Sequence, residues 1–271
     1  MDYQSLITQI FPIITKAGRE TLKYYERDFS EEKGEASPVT EADIASHNEL
    51  IDGLSSIQGI PVYSEETKDQ KVYLGAERYF LIDPLDGTKD FIHKTGDFSV
   101  MLALVEGGYP VIGVVYQPQN DTLWYAITGH GANMVTRSGT TKIHVSPETD
   151  FQQMKLVVSR FHLREEEVAL KEMLHIGEFQ QKGSAGLKMC DIANGNAQMY
   201  VSMSSKAGEW DSAPGALIVE EAGGIVTDMN GDRLTFAKHE PCNPNGFVAS
   251  NGTQHDALIE AIQDTLQKKS F

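Results

Sequence analysis

Cysteine is scarce in this sequence, since Cys190 and Cys242 are the only two among 271 residues. Two isolated thiols form no metal-ligand or redox motif, and they fit a reducing compartment. No apolar run approaches the roughly 20 residues that a membrane-spanning helix needs. The acidic start MDYQSLITQIF also lacks the basic region of a signal peptide. These absences predict a cytoplasmic globular protein without a transmembrane segment.

Basic residues are in the minority. The chain has 23 lysines and arginines and 39 aspartates and glutamates, so its formal net charge is −16. Nucleic acid polymers repel a chain of this charge, which argues against a polymer-binding role. The eight histidines form no H-E-x-x-H pattern, so a zinc site is not indicated. The excess acid either keeps the protein in solution or forms a cation pocket, and the positions of the acids decide between these roles.

The order of predicted elements indicates layered sheets and helices in a single unit of residues 1–271, with a soft subdivision into 1–147 and 148–271. Pro12 should kink or restart a first helix. The polar residues 28–38 predict a mobile loop. Strands are predicted at 61–64, 78–82, 98–108, 109–118, 121–128, 155–160, 198–203, 224–228 and 247–250. Helices are predicted at 3–26, 40–57, 88–93, 164–175 and 210–224, and from about 183 and 254.

The stretch DPLDGTKDF places two acids three positions apart. Asp83 precedes a proline, which favours extended geometry, so we expect it at the tip of a strand. Asp86 follows across a tight turn, and the Leu85 carbonyl can turn to the same side. Two carboxylates and one carbonyl are the hard oxygen ligands that Mg²⁺ prefers.

Gly87 and Thr88 follow directly and should begin the short helix 88–93. Free backbone amides at a helix start can hold a phosphate, and the Thr88 hydroxyl can orient an attacking water. Taken alone, however, Asp-Pro and Asp-Gly are common turn pairs, so an ordinary turn explains this stretch equally well.

Further acids stand where predicted elements begin or end. Glu65 and Glu66 follow the strand 61–64, and Asp43 and Asp211 lie in the first turns of helices. Such a cluster would repel itself without cations. Helix capping is the alternative for Asp43 and Asp211, but it leaves Glu65 unexplained. The acid-rich run REEEVALKEMLH is interpreted as a solvated helix face.

Two longer stretches carry a family resemblance. RYFLIDPLDGTKDFIH resembles the first signature of the inositol-monophosphatase-like, magnesium-dependent, lithium-sensitive phosphatases, and WDSAPGALIVEEAGG resembles the second. With VTEAD and SEE, the resemblance spans nearly the whole chain. Lys89 and Asp90, followed by GDFSV, are more similar to 3′(2′),5′-bisphosphate nucleotidases of the bacterial CysQ type. The resemblance implies an α+β fold, a layered αβαβα sandwich, and inhibition by lithium.

The resemblance also implies roles for the acids. Thr88, with Glu65 or Asp43, would orient the nucleophilic water. Glu65 is preferred to Glu66 because the family's ligand is the first acid of the pair. Two Mg²⁺ ions are implied, and a third, weaker ion is left open. The implied metal ligands are Glu65, Asp83, the Leu85 carbonyl, Asp86 and Asp211.

For the nucleotide, SRFH at a strand end and GSAGLK at a helix start match the nucleotide contacts of the bisphosphate nucleotidases. Small residues at a helix start, with a lysine one turn later, could hold a second phosphate. For His162 a merely solvated or capping role is the alternative, and Lys89 could also approach the ligand. The implied substrate-binding residues are Asp86, Gly87, Thr88, Ser159, His162, Gly183, Ser184, Lys188 and Asp211.

The implied reaction removes the 3′-phosphate of adenosine 3′,5′-bisphosphate to give AMP, and 3′-phosphoadenylyl sulfate is left open as a second substrate. The alternatives are an inositol or sugar monophosphatase of the same superfamily and a non-catalytic nucleotide sensor. The resemblance leaves homodimerisation open. It also leaves open peripheral association with the cytoplasmic face of the inner membrane, although the sequence contains no basic amphipathic helix.

Overall fold

The structure is a computed structural model that describes residues 2–29, 40–57, 59–67, 75–236 and 241–269. The loop predicted at 28–38 lies outside these ranges except for its first two residues. Within the described ranges, no helix is long and apolar enough to cross a membrane.

Two helices form the first layer, α1 (Tyr3–Leu22) and α2 (Glu41–Ser55). The helix α1 ends earlier than predicted, and it runs through Pro12 without a break, so the predicted restart is wrong. A row of buried apolar side chains, including Ile10 and Ile14, attaches α1 to the sheet beneath it.

A seven-stranded sheet forms the second layer in the order β1 to β7. Only β1 and β2 are parallel, and each later strand is antiparallel to the one before it. The sequence did not predict β6 and β7, because β7 is largely exposed and lacks an apolar pattern. The strands are β1 (Val62–Ser64), β2 (Arg78–Asp86), β3 (Ser99–Glu106), β4 (Tyr109–Gln117), β5 (Thr122–Ile127), β6 (Ala132–Thr136) and β7 (Gly139–Ile143).

A second sheet of five strands, in the order β11-β12-β10-β8-β9, follows in the sequence. Its strand β9 was missed because its side chains are mostly exposed and polar. The remaining elements are α3 (Thr88–Ile92), β8 (Lys155–Ser159), α4 (Glu165–Met173), β9 (Glu178–Lys182), α5 (Ala185–Ala193), β10 (Met199–Ser202), α6 (Glu209–Glu221), β11 (Ile225–Thr227), β12 (Phe247–Ser250) and α7 (His255–Lys269).

The alternation of side chains in β3 explains the layering. Leu102 and Leu104 pack on the side of α1 and α2, whereas Met101 and Ala103 pack on the side of α5 and α6. The strand is apolar throughout because both faces of its sheet are covered. A third cluster joins the far face of the five-stranded sheet to α4 and α7. The predicted αβαβα sandwich is therefore confirmed.

The change from the first sheet to the second falls between Ile143 and Lys155. The helices α5 and α6 lie between the sheets and share one apolar cluster with both of them. The subdivision at residue 147 stays a prediction. Residues from both sides of this boundary share one apolar cluster.

His255 gives a testable consequence of this packing. Its ring is buried, with Nε2 2.9 Å from the Thr227 Oγ1 and Nδ1 2.8 Å from the Ser250 Oγ. Because the Thr227 hydroxyl donates to the Asp228 carbonyl, it accepts from the imidazole, which fits a neutral ring protonated on Nε2. Burial lowers the pKa of His255 below the ordinary histidine value of 6.5.

We expect His255 to destabilise the fold in acid. Below pH 6.5 the unfolded chain binds a proton that the folded chain does not, so the free energy of unfolding falls as the pH falls. Urea unfolding of the wild type and of His255→Asn at pH 7.5 and about 5.5 would isolate this contribution. The stability difference between the two proteins should shrink at the lower pH, and a difference that is constant or grows contradicts the prediction.

Candidate active site

Two carboxylates of β2 meet a third from a distant part of the chain at one end of that strand. One ligand oxygen from each of Asp83, Asp86 and Asp211 lies within 4.8 Å of the other two, and we call these residues the acidic cluster. Asp83 is 1% exposed and Asp86 is 8% exposed. Buried carboxylates this close together are stable only when protons or cations offset their mutual repulsion.

The end of β2 differs from the sequence prediction. Asp83 does not terminate the strand, because β2 continues through Pro84 to Asp86, which pairs with Ser99. The register shifts between Asp83 and Asp86, and this irregularity accommodates a proline that has no N–H to donate. The Leu85 amide donates to the Asp83 carboxylate at 3.0 Å, which fixes the first acid.

Asp86 is held by the start of α5. One of its oxygens accepts the Ala185 amide at 3.0 Å, and the other accepts the Gly186 amide at 2.8 Å and the Ser184 hydroxyl at 2.5 Å. The carboxylate therefore caps this helix from a neighbouring strand, and its negative charge lies at the positive end of the helix.

Asp43 and Asp211 each cap their own helix, as the alternative interpretation predicted. Asp43 accepts the Thr40 amide at 2.7 Å, and Asp211 accepts the Gly208 amide at 2.7 Å. In both residues only the Oδ2 atom makes this backbone bond. The Oδ1 atom of Asp43 accepts the Thr88 hydroxyl at 3.2 Å, and Asp211 belongs to the acidic cluster. Capping and membership of the site are thus compatible.

Glu65 adjoins the acidic cluster, because its side chain hydrogen-bonds with Asp83. Burial, and then repulsion from Asp211, raise the pKa of Glu65 to about 9. Burial and Glu65 likewise raise the pKa of Asp83. Glu66 lies close enough to Asp43 for the two carboxylates to repel each other. Burial, and then this repulsion, raise the pKa of Glu66 as well.

Burial and the neighbouring Asp86 raise the pKa of Asp211 to about 7. These shifts mean that the acids hold protons when no cation is present, and that a cation binding among them would displace those protons. The set consists of hard oxygen donors alone, so the residues fit a divalent cation such as Mg²⁺ and do not resemble a zinc site. The residues that could hold it are Glu65, Asp83, Asp86, Asp211 and, through its carbonyl, Leu85.

Thr88 and Gly87 lie beside these acids, as expected. The Thr88 hydroxyl is within reach of the Asp43 carboxylate at 3.2 Å and of the Leu85 carbonyl at 3.1 Å. Gly87 has a φ of 89°, and a Cβ atom there would lie 2.8 Å from the Asp97 carbonyl oxygen, so glycine is required. Gly87 is the N-cap of α3 and has no side chain with which to cap it.

A cavity of about 650 Å³ opens above the acidic cluster. It is large enough for a nucleotide-sized ligand. Asp83 and Leu85 do not line it and lie buried beneath it. The other predicted site residues all line it, namely Asp43, Glu65, Asp86, Gly87, Thr88, Ser159, His162, Gly183, Ser184, Lys188 and Asp211.

The predicted nucleotide contacts lie in this cavity. The Lys188 ammonium donates to the Ser184 carbonyl at 2.8 Å and lies 4.8 Å from the centre of the Tyr200 ring. Burial lowers the pKa of Lys188 to about 8, so the side chain stays mainly cationic at neutral pH.

Ser159 and His162 are joined by a hydrogen bond from the His162 amide to the Ser159 hydroxyl, at 3.1 Å. Burial and the nearby Lys89 lower the pKa of His162. The imidazole therefore favours its neutral form, which can either donate or accept a hydrogen bond from a ligand.

Glu167 was missed in the sequence. It belongs to the run interpreted as a solvated face, but it is 3% exposed, lines the cavity and accepts the Arg164 amide at 2.9 Å. Burial raises the pKa of Glu167 to about 7. Its position in the first turn of α4 was the available signal, because a glutamate there commonly reaches back to the helix start.

An α+β sandwich with buried carboxylates at a nucleotide-sized cavity is the architecture of a metal-assisted phosphatase. Residues 2–267 match the inositol monophosphatase family, and the chain belongs to that family. The 3′(2′),5′-bisphosphate nucleotidase CysQ of Salmonella typhimurium is 36% identical over 250 residues, covering 89% of this chain and 98% of the relative.

Two solved structures extend the comparison. CysQ from Bacteroides thetaiotaomicron, a bacterial member of the inositol monophosphatase family, has a TM-score of 0.80 at 31% identity and covers 92% of this chain and 98% of its own. The IMPase of Thermotoga maritima has a TM-score of 0.81 at 25% identity and covers 99% of each chain. The fold is thus common to relatives with both names.

Proposed function

We propose that this chain is a magnesium-dependent 3′(2′),5′-bisphosphate nucleotidase that converts adenosine 3′,5′-bisphosphate to AMP and phosphate. The observation that carries the proposal is the mixed lining of a single large cavity. Asp86 and Asp211 of the acidic cluster line it, and so do the cationic side chains of Lys89, Arg164, Lys188 and Lys206. A substrate with two separate phosphates fits such a lining, because one phosphate can bind at the metal side and the other at the cationic side chains. A monophosphate would leave those cationic side chains without a phosphate to bind.

The metal side is assigned to Glu65 and the acidic cluster, with the Leu85 carbonyl. Two Mg²⁺ ions bound there would polarise the phosphoryl group and lower the pKa of a bound water. A third, weaker ion is part of the proposal only by family resemblance, and so is inhibition by millimolar lithium.

The protein's own contribution to water attack is assigned to Thr88 and Asp43. The Asp43 carboxylate accepts a hydrogen bond from the Thr88 hydroxyl at 3.2 Å, which leaves the threonine lone pairs free to accept a hydrogen bond from water. A water oriented in this way would attack phosphorus directly, and no covalent enzyme intermediate is required. The amides of Gly87 and Thr88, at the start of α3, would hold the phosphate oxygens.

The nucleoside side is assigned to Ser159, His162, Gly183, Ser184 and Lys188. Lys188 supplies positive charge for the 5′-phosphate from within the protein, where weak screening strengthens the attraction. The anion would in turn raise the pKa of this lysine and keep it charged.

The test is a comparison of kcat/KM for adenosine 3′,5′-bisphosphate, 3′-phosphoadenylyl sulfate and inositol 1-phosphate in the presence of Mg²⁺. We expect the bisphosphate to be preferred and phosphate release to require Mg²⁺. A preference for inositol 1-phosphate would replace the proposal with an inositol monophosphatase. Binding of the bisphosphate without any phosphate release would replace it with a nucleotide sensor.

The cellular setting rests on resemblance alone. We retain a cytoplasmic location, homodimerisation and peripheral contact with the inner membrane as predictions. Sedimentation of the purified protein, alone and with anionic vesicles, tests the last two.

A further inference from the structure

The segment after β8 forms one wall of the cavity. Ser159, Phe161 and His162 line the cavity, and we call residues 159–162 the wall segment. Arg160 belongs to this segment but does not line the cavity. Its side chain is 28% exposed and reaches away to acids on another part of the chain.

The Arg160 guanidinium binds two carboxylates at once. Its Nη1 atom donates to Asp90, and its Nη2 atom donates to Asp97 at 2.5 Å. Thr95 closes the arrangement, because its hydroxyl donates to Asp90 at 2.7 Å and accepts from Nη1 at 3.1 Å. A planar fork between two acids fixes direction as well as distance, which a lysine could not do.

Asp90 ties this network to the phosphate side of the site. It is buried, and it lies in α3 two residues after Thr88. The rings of His93 and Phe161 add a second contact between the same two segments, with centroids 4.6 Å apart. The wall segment is therefore attached to the short helix that begins at the proposed phosphate-holding amides.

The start of the GSAGLK segment joins the same network. The Arg160 amide donates to the Lys182 carbonyl at 3.3 Å, and its Nη2 atom donates to the Gln181 carbonyl at 3.4 Å. A Cβ atom on Gly183 would lie 2.1 Å from the Asp90 carboxyl carbon, so the Gly183 backbone packs directly against that side chain. Three segments that line the cavity thus converge on one guanidinium.

We propose that Arg160 is a positioning residue that determines specificity for nucleotides. It sets the spacing between the wall segment and the phosphate-holding start of α3, so that a substrate can reach both. The inference rests on the proposed function, since only a substrate with a nucleoside uses the wall segment. Arg160 itself touches neither substrate nor metal and acts through Ser159 and His162.

The test compares two product inhibitors in Mg²⁺. AMP should contact both the wall segment and the metal side, whereas inorganic phosphate contacts the metal side alone. In Arg160→Ala we expect KM for the bisphosphate and the inhibition constant of AMP to rise by roughly 10- to 100-fold. The inhibition constant of inorganic phosphate and the value of kcat should stay within about threefold of the wild type. Arg160→Lys should recover part of the loss, because an ammonium can pair with only one of the two acids.

Arg137→Ala is the matched control, because Arg137 forms an Arg–Asp ion pair with Asp121 on the surface, with its side chain 84% exposed. It should change none of these constants. If Arg160→Ala is too unstable to assay, Asp97→Asn keeps the shape and weakens the network. It should raise KM for the bisphosphate and the inhibition constant of AMP by a smaller factor. Equal losses for AMP and inorganic phosphate, or no loss for either, would overturn the inference and leave the proposed function intact. A wild type that does not hydrolyse the bisphosphate would overturn both.

Discussion

Asp86→Asn is expected to reduce Mg²⁺-dependent phosphate release by at least about 100-fold. The substitution removes a charge from the acidic cluster. It also disturbs α5, because the two Asp86 oxygens accept different amides, Ala185 on one and Gly186 on the other. An asparagine has a single acceptor oxygen and must turn its NH₂ group towards one of these donors.

Two measurements check this expectation. Phosphate release is followed across a Mg²⁺ titration, and thermal unfolding is measured with and without Mg²⁺. Mg²⁺ should stabilise the wild type through binding and have a much smaller effect on the variant. Asp2→Asn is the matched control, since Asp2 caps α1 through one oxygen alone and its amide replacement can keep both bonds. Wild-type activity of Asp86→Asn at the same Mg²⁺ concentration would remove Asp86 from the ligand set.

Thr88→Val is expected to lower kcat by roughly 100- to 1,000-fold while KM changes little. Valine keeps the shape of threonine but loses the hydroxyl that lies 3.2 Å from Asp43. The lost group acts on the attacking water and not on substrate affinity, so the effect falls on kcat. Thr88→Ser keeps the hydroxyl and should retain most of the rate.

Asp43→Asn provides a second route to the same loss. An asparagine NH₂ facing Thr88 would donate to the hydroxyl and reverse the hydrogen bond. If the two residues act as one unit, the double variant Asp43→Asn with Thr88→Val should be no slower than the worse single variant. Steady-state kinetics decides this, and fully additive losses would assign the two residues to separate roles.

The layers of this fold could be predicted because their buried elements have apolar patterns that are visible within a short stretch of sequence. The strand β3 is apolar on both faces, and the helices flanking its sheet carry apolar residues at helical spacing. The exposed strands β7 and β9 have no such apolar pattern, because a strand on the surface does not need one. Their pairing depends on neighbours that a short window of sequence does not contain.

The site shows the same division. Asp83, Asp86 and Thr88 occur together in one stretch, so their joint role could be predicted from spacing and resemblance. Arg160 and Asp90 are far apart in the chain, and no local pattern indicates that they form an ion pair.

The position of α6 links folding of the chain to formation of the metal site. This helix covers one face of the seven-stranded sheet and also supplies Asp211. A nascent chain or proteolytic fragment that stops before Glu209 carries Asp83 and Asp86 but lacks both the third carboxylate and the part of the sheet's cover that α6 supplies. Packing of α6 on the sheet is therefore also the step that completes the ion-binding set.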